Sequence, residues 1–195
     1  MQKRPDINDT LARSVTELRA LERYTLEALE LQQYEDDLEH HQEAANLIAQ
    51  AVEVLRNHIT RLDLRITTLA GTTDALRAAT SSMSGAFSGF FSKIRSHDTS
   101  KMLRDDYTLL SLASIGYVML HTSALALRRT DVAEMAMQHH QDLAPLVQEI
   151  ALTLPHLVLR NLSRSFGSLN SAAAENTVLI ASQTIVPDTP WAVMA

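Results

Sequence analysis

The chain has 195 residues and a formal net charge of −6, with 46% hydrophobic and 21% charged residues and no cysteine. This length suffices for one well-buried domain, and the lack of cysteine excludes disulfides, thiolate nucleophiles and sulfur-ligated zinc. The basic residues form no stripe and aromatic residues make up only 5%, so we expect no nucleic-acid binding. The opening "MQKRPDINDT" has no apolar segment after its basic residues, which predicts a cytoplasmic protein.

Two long helices are predicted in the first 70 residues. Asp9 or Thr10 can cap the first, which begins at "LARSV" and is predicted to end between Leu38 and His41. Its inner face comprises Leu11, Val15, Leu18, Glu22, Thr25 and Leu29. The second helix carries an apolar stripe from Ala44 to Leu69, and Gly71 in "AGTT" is suited to its C-terminal end.

Residues 72–100 are rich in Ser and Gly, and they are predicted to form a crossover between two halves of the chain. Met83, Phe87, Phe90, Phe91 and Ile94 keep helical spacing, which indicates a short amphipathic helix. This helix could cover the packed helices or lie on a membrane surface, with Lys93 and Arg95 near anionic headgroups. We favour the first interpretation.

Two further helices are predicted after the crossover. The third spans about 101–129 and includes 21 residues without a charge, 107–127. That is long enough to cross a membrane, but its Ser, Thr and His residues favour a buried helix of a bundle, and we predict no membrane association. Asp131 is the predicted N-cap of the fourth helix, in which Pro145 and Pro155 predict kinks or a break.

A repeated phrase links the two halves. "EHHQEAANLI" (39–48) and "QHHQDLAPLV" (138–147) align without a gap, as expected if each lies near the start of the later helix of a helical hairpin. The hairpins would comprise residues 10–70 and 101–163. Short loops within hairpins and a long crossover predict an all-α, ferritin-like four-helix bundle over residues 1–164. Residues 165–195, ending in "VPDTPWAVMA", are predicted to be a tail that docks on the bundle or on a partner.

Two segments carry a resemblance to a known family. "TELRALERYTLEAL…VLRNHITRLDLRITTLAG" resembles the first hairpin of the bacterial stress-induced ferritin-like proteins, which have a similar "ELRDL" opening and "HVERLE…LG" close. "DDYTLLSLASIGYVMLHTSALALRRTDVAEMAMQHHQDLAPLV" resembles their second hairpin in helix lengths and in its short turn. The resemblance covers about residues 10–160. It implies a ferritin-like fold, a homo-oligomer and a role in stress response.

The resemblance also implies a di-iron or di-manganese centre, held by inward Glu residues and Glu-x-x-His pairs. The sequence contains no Glu-x-x-His, and the third helix has no carboxylate from Tyr107 to Thr130. Only Glu22 and His58 keep positions suited to metal ligands, near the middle of the first two helices. We expect His139 to lie too far along the fourth helix to join them, about 12 Å from its middle.

Several interpretations of these side chains remain open. Glu22 and His58 could form a buried charge-assisted hydrogen bond capped by Tyr117, hold one metal ion, or be exposed. The paired histidines could be a polar helix-start phrase kept in both halves. Alternatively, they could form a surface or intersubunit site for zinc or nickel, which would comprise His40, His41, His139 and His140.

The function predicted from the sequence is that of a non-catalytic ferritin-like bundle, acting through self-assembly or through a protein partner that the C-terminal tail contacts. No cofactor is expected. One alternative is a metal-binding ferritin-like oxidase with rearranged ligands, using iron, manganese or zinc. Another is a membrane-associated helical protein.

Overall fold

The computed structural model describes residues 6–70 and 98–185, and within these ranges the chain is all-α, with no strand. Its elements are α1 (Ile7–Gln32), a 3-10 turn (Asp36–His40), α2 (Gln42–Ala70), α3 (Thr99–Ala126), α4 (Thr130–Phe166) and α5 (Ala172–Ile185). The all-α prediction is therefore confirmed. The predicted amphipathic helix between Met83 and Ile94 and the terminal "VPDTPWAVMA" lie outside the described residues.

The ends of α1 differ from the prediction. The helix begins at Ile7, because the side chain of Asp6 accepts hydrogen bonds from the backbone N–H groups of Asn8 and Asp9 and so caps it. It ends at Gln32, and the acidic stretch that was predicted to continue it forms the 3-10 turn instead. Asp36 and Asp37 have low helix propensity, and Glu35 and Glu39 would be like charges four residues apart on a continued helix, which explains the early end.

The long helix α4 also departs from the prediction at two places. Its N-cap is Arg129, and Asp131 lies in the first turn, where it pairs with Arg65 and Arg129. Of the kinks or break predicted at Pro145 and Pro155, a break is wrong, because α4 is continuous through both residues. Proline has no backbone N–H, so each of the two prolines removes one hydrogen bond of the helix. The packing of α4 against the core on one side and against α5 on the other offsets this loss.

The four long helices enclose one core. α1 packs along α2 and α3 along α4, and the two pairs meet through α1 against α3 and α2 against α4. Every residue of the predicted inner face of α1 is buried, including Glu22 and Thr25. The face predicted for α2 comprises Ile59, which is partly buried, and seven residues that are buried: Ala44, Ile48, Ala51, Leu55, Leu62, Ile66 and Leu69.

Polar contacts at the two ends of the helices fix their directions. At one end, Gln32 Nε2 donates to Asp106 Oδ1 at 2.9 Å, which joins the end of α1 to the start of α3. At the opposite end, Arg129 donates to Asn8 and Arg65 pairs with Asp131. Consequently α2 and α3 run in the same direction, and α2 ends at the opposite end from the start of α3.

The described part of the predicted tail docks on the other helices. α5 packs against α4, and Ala174 on α5 is buried. Two of the described helices, α3 and α4, are long and apolar enough to cross a membrane on length and composition alone. In the apolar 18-residue stretch of α3, 39% of the residues are buried within the protein. In the corresponding stretch of α4, 22% of the residues are buried.

Candidate metal centre

Each of the four long helices contributes a polar side chain to the middle of the core. Glu22 comes from α1, His58 from α2, Tyr117 from α3 and His139 from α4, and none is more than 1% exposed. Asp142, one turn beyond His139, completes this set at the edge of the core with a side chain 33% exposed. We call these five residues the core polar cluster.

His58 lies at the centre of the cluster between two carboxylates. Its Nδ1 is 2.9 Å from Glu22 Oε1, and its Nε2 is 3.2 Å from Asp142 Oδ2. The predicted buried hydrogen bond between Glu22 and His58 is thus confirmed. Because both ring nitrogens face acceptors, two protons are required, either both on the imidazole or one of them on a carboxyl group. Gln138 Nε2 holds Asp142 in place by donating to Oδ1 at 2.8 Å.

His139 lies directly over His58. The two rings are parallel within 3°, and their centroids are 3.7 Å apart. Neither ring nitrogen of His139 has a hydrogen-bond partner, and the residue is fully buried. The expectation that His139 lies too far along its helix to reach Glu22 and His58 is therefore wrong.

The length of α4 explains this error. The helix has 37 residues, so its midpoint lies well beyond the level of the core polar cluster. The tight turn around Arg128, which has a positive φ of 58°, sets the relative depth of α3 and α4 instead. Tyr117 and His139 are each eleven residues from Arg128, so they face one another across the hairpin.

Tyr117 closes the cluster from α3. Its ring meets His139 edge-on at a centroid distance of 4.9 Å and His58 at 6.0 Å. The hydroxyl lies beside Glu22, but it does not reach hydrogen-bond geometry. Burial, together with the Glu22 carboxylate, holds the pKa of this phenol well above its usual value. The predicted capping by Tyr117 is thus a contact through the ring and the hydroxyl rather than a hydrogen bond.

Burial sets the charge states around the cluster. It raises the pKa of Glu22, and the hydrogen bond and charge of His58 oppose that rise. Burial also lowers the pKa of His139 to about 3, assisted by the charges of His58 and Arg61. His139 is therefore neutral near pH 7, so it has a free lone pair on one ring nitrogen.

Three members of the cluster could hold a metal ion. Glu22, His58 and His139 each offer one ligand atom, and these atoms lie within 4.8 Å of one another. No other group of three ligands is this close within residues 6–70 and 98–185. Metal–nitrogen bonds of about 2.0–2.1 Å place two ligand atoms roughly 3.3–4.2 Å apart. The lone pairs of an imidazole lie in the plane of its ring, so the two parallel rings would have to tilt towards a common point, and the ligand atoms to move closer together, to hold one ion.

Two of the three residues that such an ion would use have buried atoms without a partner, whereas His58 Nδ1 would exchange its contact with Glu22 Oε1 for the ion. Glu22 Oε2 and both nitrogens of His139 are buried without a hydrogen-bond partner. An unpaired buried polar atom is unfavourable, so such an atom calls for a bound water or ion as its partner. The donor set of two imidazoles and one carboxylate suits a transition metal. It supplies no second carboxylate to bridge two ions.

The structure does not bring the four paired histidines together. His41 is fully buried before α2, with Nε2 3.9 Å from Asp37. Nearby, Glu43 pairs with Arg160 of α4, which lies 21 residues, about 30 Å, along that helix from His139. The expectation that each phrase lies near a helix start is wrong for the second, because His139 is the tenth residue of α4.

The remaining paired histidine of α4 faces away from the cluster. His140 Nδ1 lies 2.9 Å from Ser114 Oγ on α3. His139 and His140 thus have different surroundings, as expected for adjacent helical residues that point about 100° apart.

Sequence reasoning missed His139 and Asp142 as members of the site. One signal was available: they are three residues apart on α4 and therefore share a face with the buried Leu143 and Leu146. In comparisons with protein-family models, curated proteins and solved structures, nothing matches the chain. The geometry of the cluster is therefore the basis for assigning a function.

Proposed function

We propose that this protein is a ferritin-like four-helix bundle that binds a single transition-metal ion through Glu22, His58 and His139. The observation that carries the proposal is His139, a neutral imidazole with two unpartnered nitrogens beside an unpartnered Glu22 oxygen in a closed core. Three different helices supply the ligands, so binding one ion would tie α1, α2 and α4 together.

The ferritin-like arrangement is supported by how the helices connect. The pairs α1–α2 and α3–α4 are hairpins, whereas α2 and α3 run in the same direction. Ala70 and Asp98 consequently lie at opposite ends of the helices, as they do in bundles with one long crossover connection.

The donor atoms favour zinc(II) or iron(II) over magnesium or calcium. Imidazole nitrogen is a good ligand for zinc and iron, whereas magnesium and calcium prefer oxygen ligands throughout. A bound ion of this kind supplies Lewis acidity. His58 would present Nδ1 to the ion and donate from Nε2 to Asp142, which is the usual way in which a second carboxylate orients a metal-binding histidine.

The burial of the ligands favours a structural or sensing role over catalysis. Three protein ligands leave a fourth coordination position free, as in catalytic zinc sites. However, all three ligands are at most 1% exposed, so the described residues close this position off from solvent. This agrees with the non-catalytic function predicted from the sequence.

The test is metal content, measured by elemental mass spectrometry on untagged protein purified without chelators and reloaded with Zn²⁺ or, without oxygen, with Fe²⁺. We expect about one ion per chain, reduced at least tenfold in affinity in His139→Gln and Glu22→Gln. His140→Gln is the matched control, because it changes the adjacent histidine, and it should bind like the wild type.

Other results would contradict this assignment. Two ions per chain would indicate a dinuclear oxidase centre with rearranged ligands. One ion retained in His139→Gln, or no ion in the wild type, would exclude the site.

A second candidate function, self-assembly, is favoured by one observation: the outer face of α3 exposes large apolar side chains, among them Ile115 and Met119. Sedimentation of the wild type over a range of concentrations tests this candidate directly.

A further inference from the structure

The outer face of α3 carries an uncharged stripe, which we call the α3 stripe. Its six members are all exposed: Thr108, Leu112, Ile115, Met119, Thr122 and Ala126. The large apolar members are 45%, 53% and 67% exposed at Leu112, Ile115 and Met119, respectively. The spacing of four, three, four, three and four residues is that of a coiled-coil seam.

The stripe is narrow, which points to a helix as its partner. Ser111, Gly116 and Val118 beside it are already partly buried within the protein, whereas Ser123 and Leu125 widen the exposed face near the end of α3. In the stripe two of every seven residues face outward, which is the pattern of a helix that packs against one other helix. A helix that lies on a membrane has a broader apolar face, flanked by Lys and Arg. Between Asp106 and Arg128 α3 has no charged residue.

The stripe is complementary to itself. If a second α3 lies antiparallel across a two-fold axis at the level of Tyr117, Ile115 faces Met119 of the other copy. In the same register Leu112 faces Thr122, and Thr108 faces Ala126. Each of the six positions then faces one of the six on the other copy, and no facing pair brings like charges together. An interface with two-fold symmetry must be complementary to itself in this way.

We propose that the α3 stripe is the surface through which two copies of this chain associate as an antiparallel pair. The proposal names the partner for the self-assembly considered above. It is independent of metal binding, because Tyr117 and the core polar cluster lie on the opposite face of α3. One seam of six side chains, three of them small, buries less than the roughly 800 Å² per partner of a standard interface, so the dimer is weak.

The experiment is analytical ultracentrifugation of the full chain from about 10 µM to 1 mM, the range in which small interfaces associate. We expect a monomer–dimer equilibrium whose dissociation constant rises at least tenfold in Ile115→Glu, since two carboxylates would meet near the axis. Leu64→Glu is the matched control: Leu64 is 70% exposed on α2, outside the stripe, and its substitution should leave the equilibrium unchanged.

A second measurement tests the register. The natural chain has no cysteine, so the double variant Leu112→Cys/Thr122→Cys has only the introduced thiols. On mild oxidation it should form a covalent dimer, because those positions face each other in the proposed register. Leu112→Cys/Ala126→Cys, in which the partners do not face, should cross-link much more slowly.

Three outcomes would overturn the proposal. The first is a wild type that stays monomeric at every concentration, with an unchanged metal content. The second is an Ile115→Glu variant that dimerises like the wild type. The third is a monomer that sediments with phosphatidylcholine–phosphatidylglycerol vesicles in an Ile115-dependent way, which would assign the stripe to a membrane surface.

Discussion

Two buried carboxyl groups in this protein have opposite surroundings. Glu22 accepts a hydrogen bond from His58, a group that can carry a positive charge, and it lies beside the Tyr117 ring. Asp106 is 1% exposed, and its hydrogen-bond partner is the neutral amide of Gln32. Burial raises the pKa of both, but near Asp106 no positive charge opposes the rise, and its pKa reaches about 7. Burial is the largest influence on both acids, and the charge of the partner decides whether that influence is opposed.

The Asp106 pair fits a protonated acid. Asp106 Oδ2 and Gln32 Oε1 are both buried without a hydrogen-bond partner. A proton on Oδ2 would turn this oxygen into a donor, and Gln32 Oε1 is the unused acceptor of the same pair. The neutral form would thus satisfy two atoms that the ionised form leaves unpaired.

The largest expected effect comes from breaking the Glu22 pair. In His58→Leu, Glu22 loses the partner that offsets its burial, and we expect a loss of about 3–5 kcal/mol in the free energy of unfolding. Urea unfolding followed by circular dichroism measures it. Glu22→Leu/His58→Leu is the matched variant, because it removes both members and leaves no unpaired acid in the core.

We expect this double variant to recover much of the loss. Replacing a buried ion pair with apolar side chains is often neutral or stabilising. A double variant as unstable as the sum of its two single variants would show that the two residues contribute independently. The charge of His58 would then not be what offsets the burial of Glu22.

The next effect is the pH dependence that Asp106 confers. Below pH 4 the carboxyl group is protonated in both the folded and the unfolded chain. Between about pH 4 and 7 the unfolded chain releases this proton while the folded chain keeps it. Asp106 therefore makes stability fall as the pH rises through this window, on the order of 2–4 kcal/mol in total.

Asp106→Asn should remove this component. Its amide keeps the shape and can donate to Gln32 Oε1, so the variant should be more stable than the wild type at pH 7.5 and similar at pH 4. Unfolding by urea at a series of pH values measures it. Asp36→Asn, at an exposed position in the 3-10 turn, is the control and should keep the wild-type slope. If the stability of Asp106→Asn falls with rising pH as steeply as that of the wild type, groups other than Asp106 cause the pH dependence.

Helical periodicity predicted the whole inner face of α1 and all of that of α2 except Ile59, which is partly buried, because each residue of an amphipathic helix has a fixed direction relative to its neighbours. It therefore placed Glu22 in the core. Periodicity could not predict how far one helix is shifted along its axis relative to another. That shift depends on where each turn lies, which is why His139 was placed too far from Glu22.

The ends of helices were predicted less well than their faces. Asp6 caps α1 although Asp9 and Thr10 are equally suitable by residue type. The choice between such neighbours depends on local contacts that the sequence pattern does not contain. Asp142 was missed for a related reason: its role depends on His58, which is 84 residues away in the sequence.

The smallest expected effect extends the comparison to a carboxylate at the surface. Asp63 pairs with Arg19, and their side chains are 48% and 22% exposed. Water solvates both groups when the pair is broken, so Asp63→Ala should cost less than about 1 kcal/mol, and 0.5 M NaCl should reduce even that. Urea unfolding with and without salt measures it. A loss as large as that of His58→Leu would show that exposure does not weaken acid pairs in this protein, and that burial is not what distinguishes Glu22.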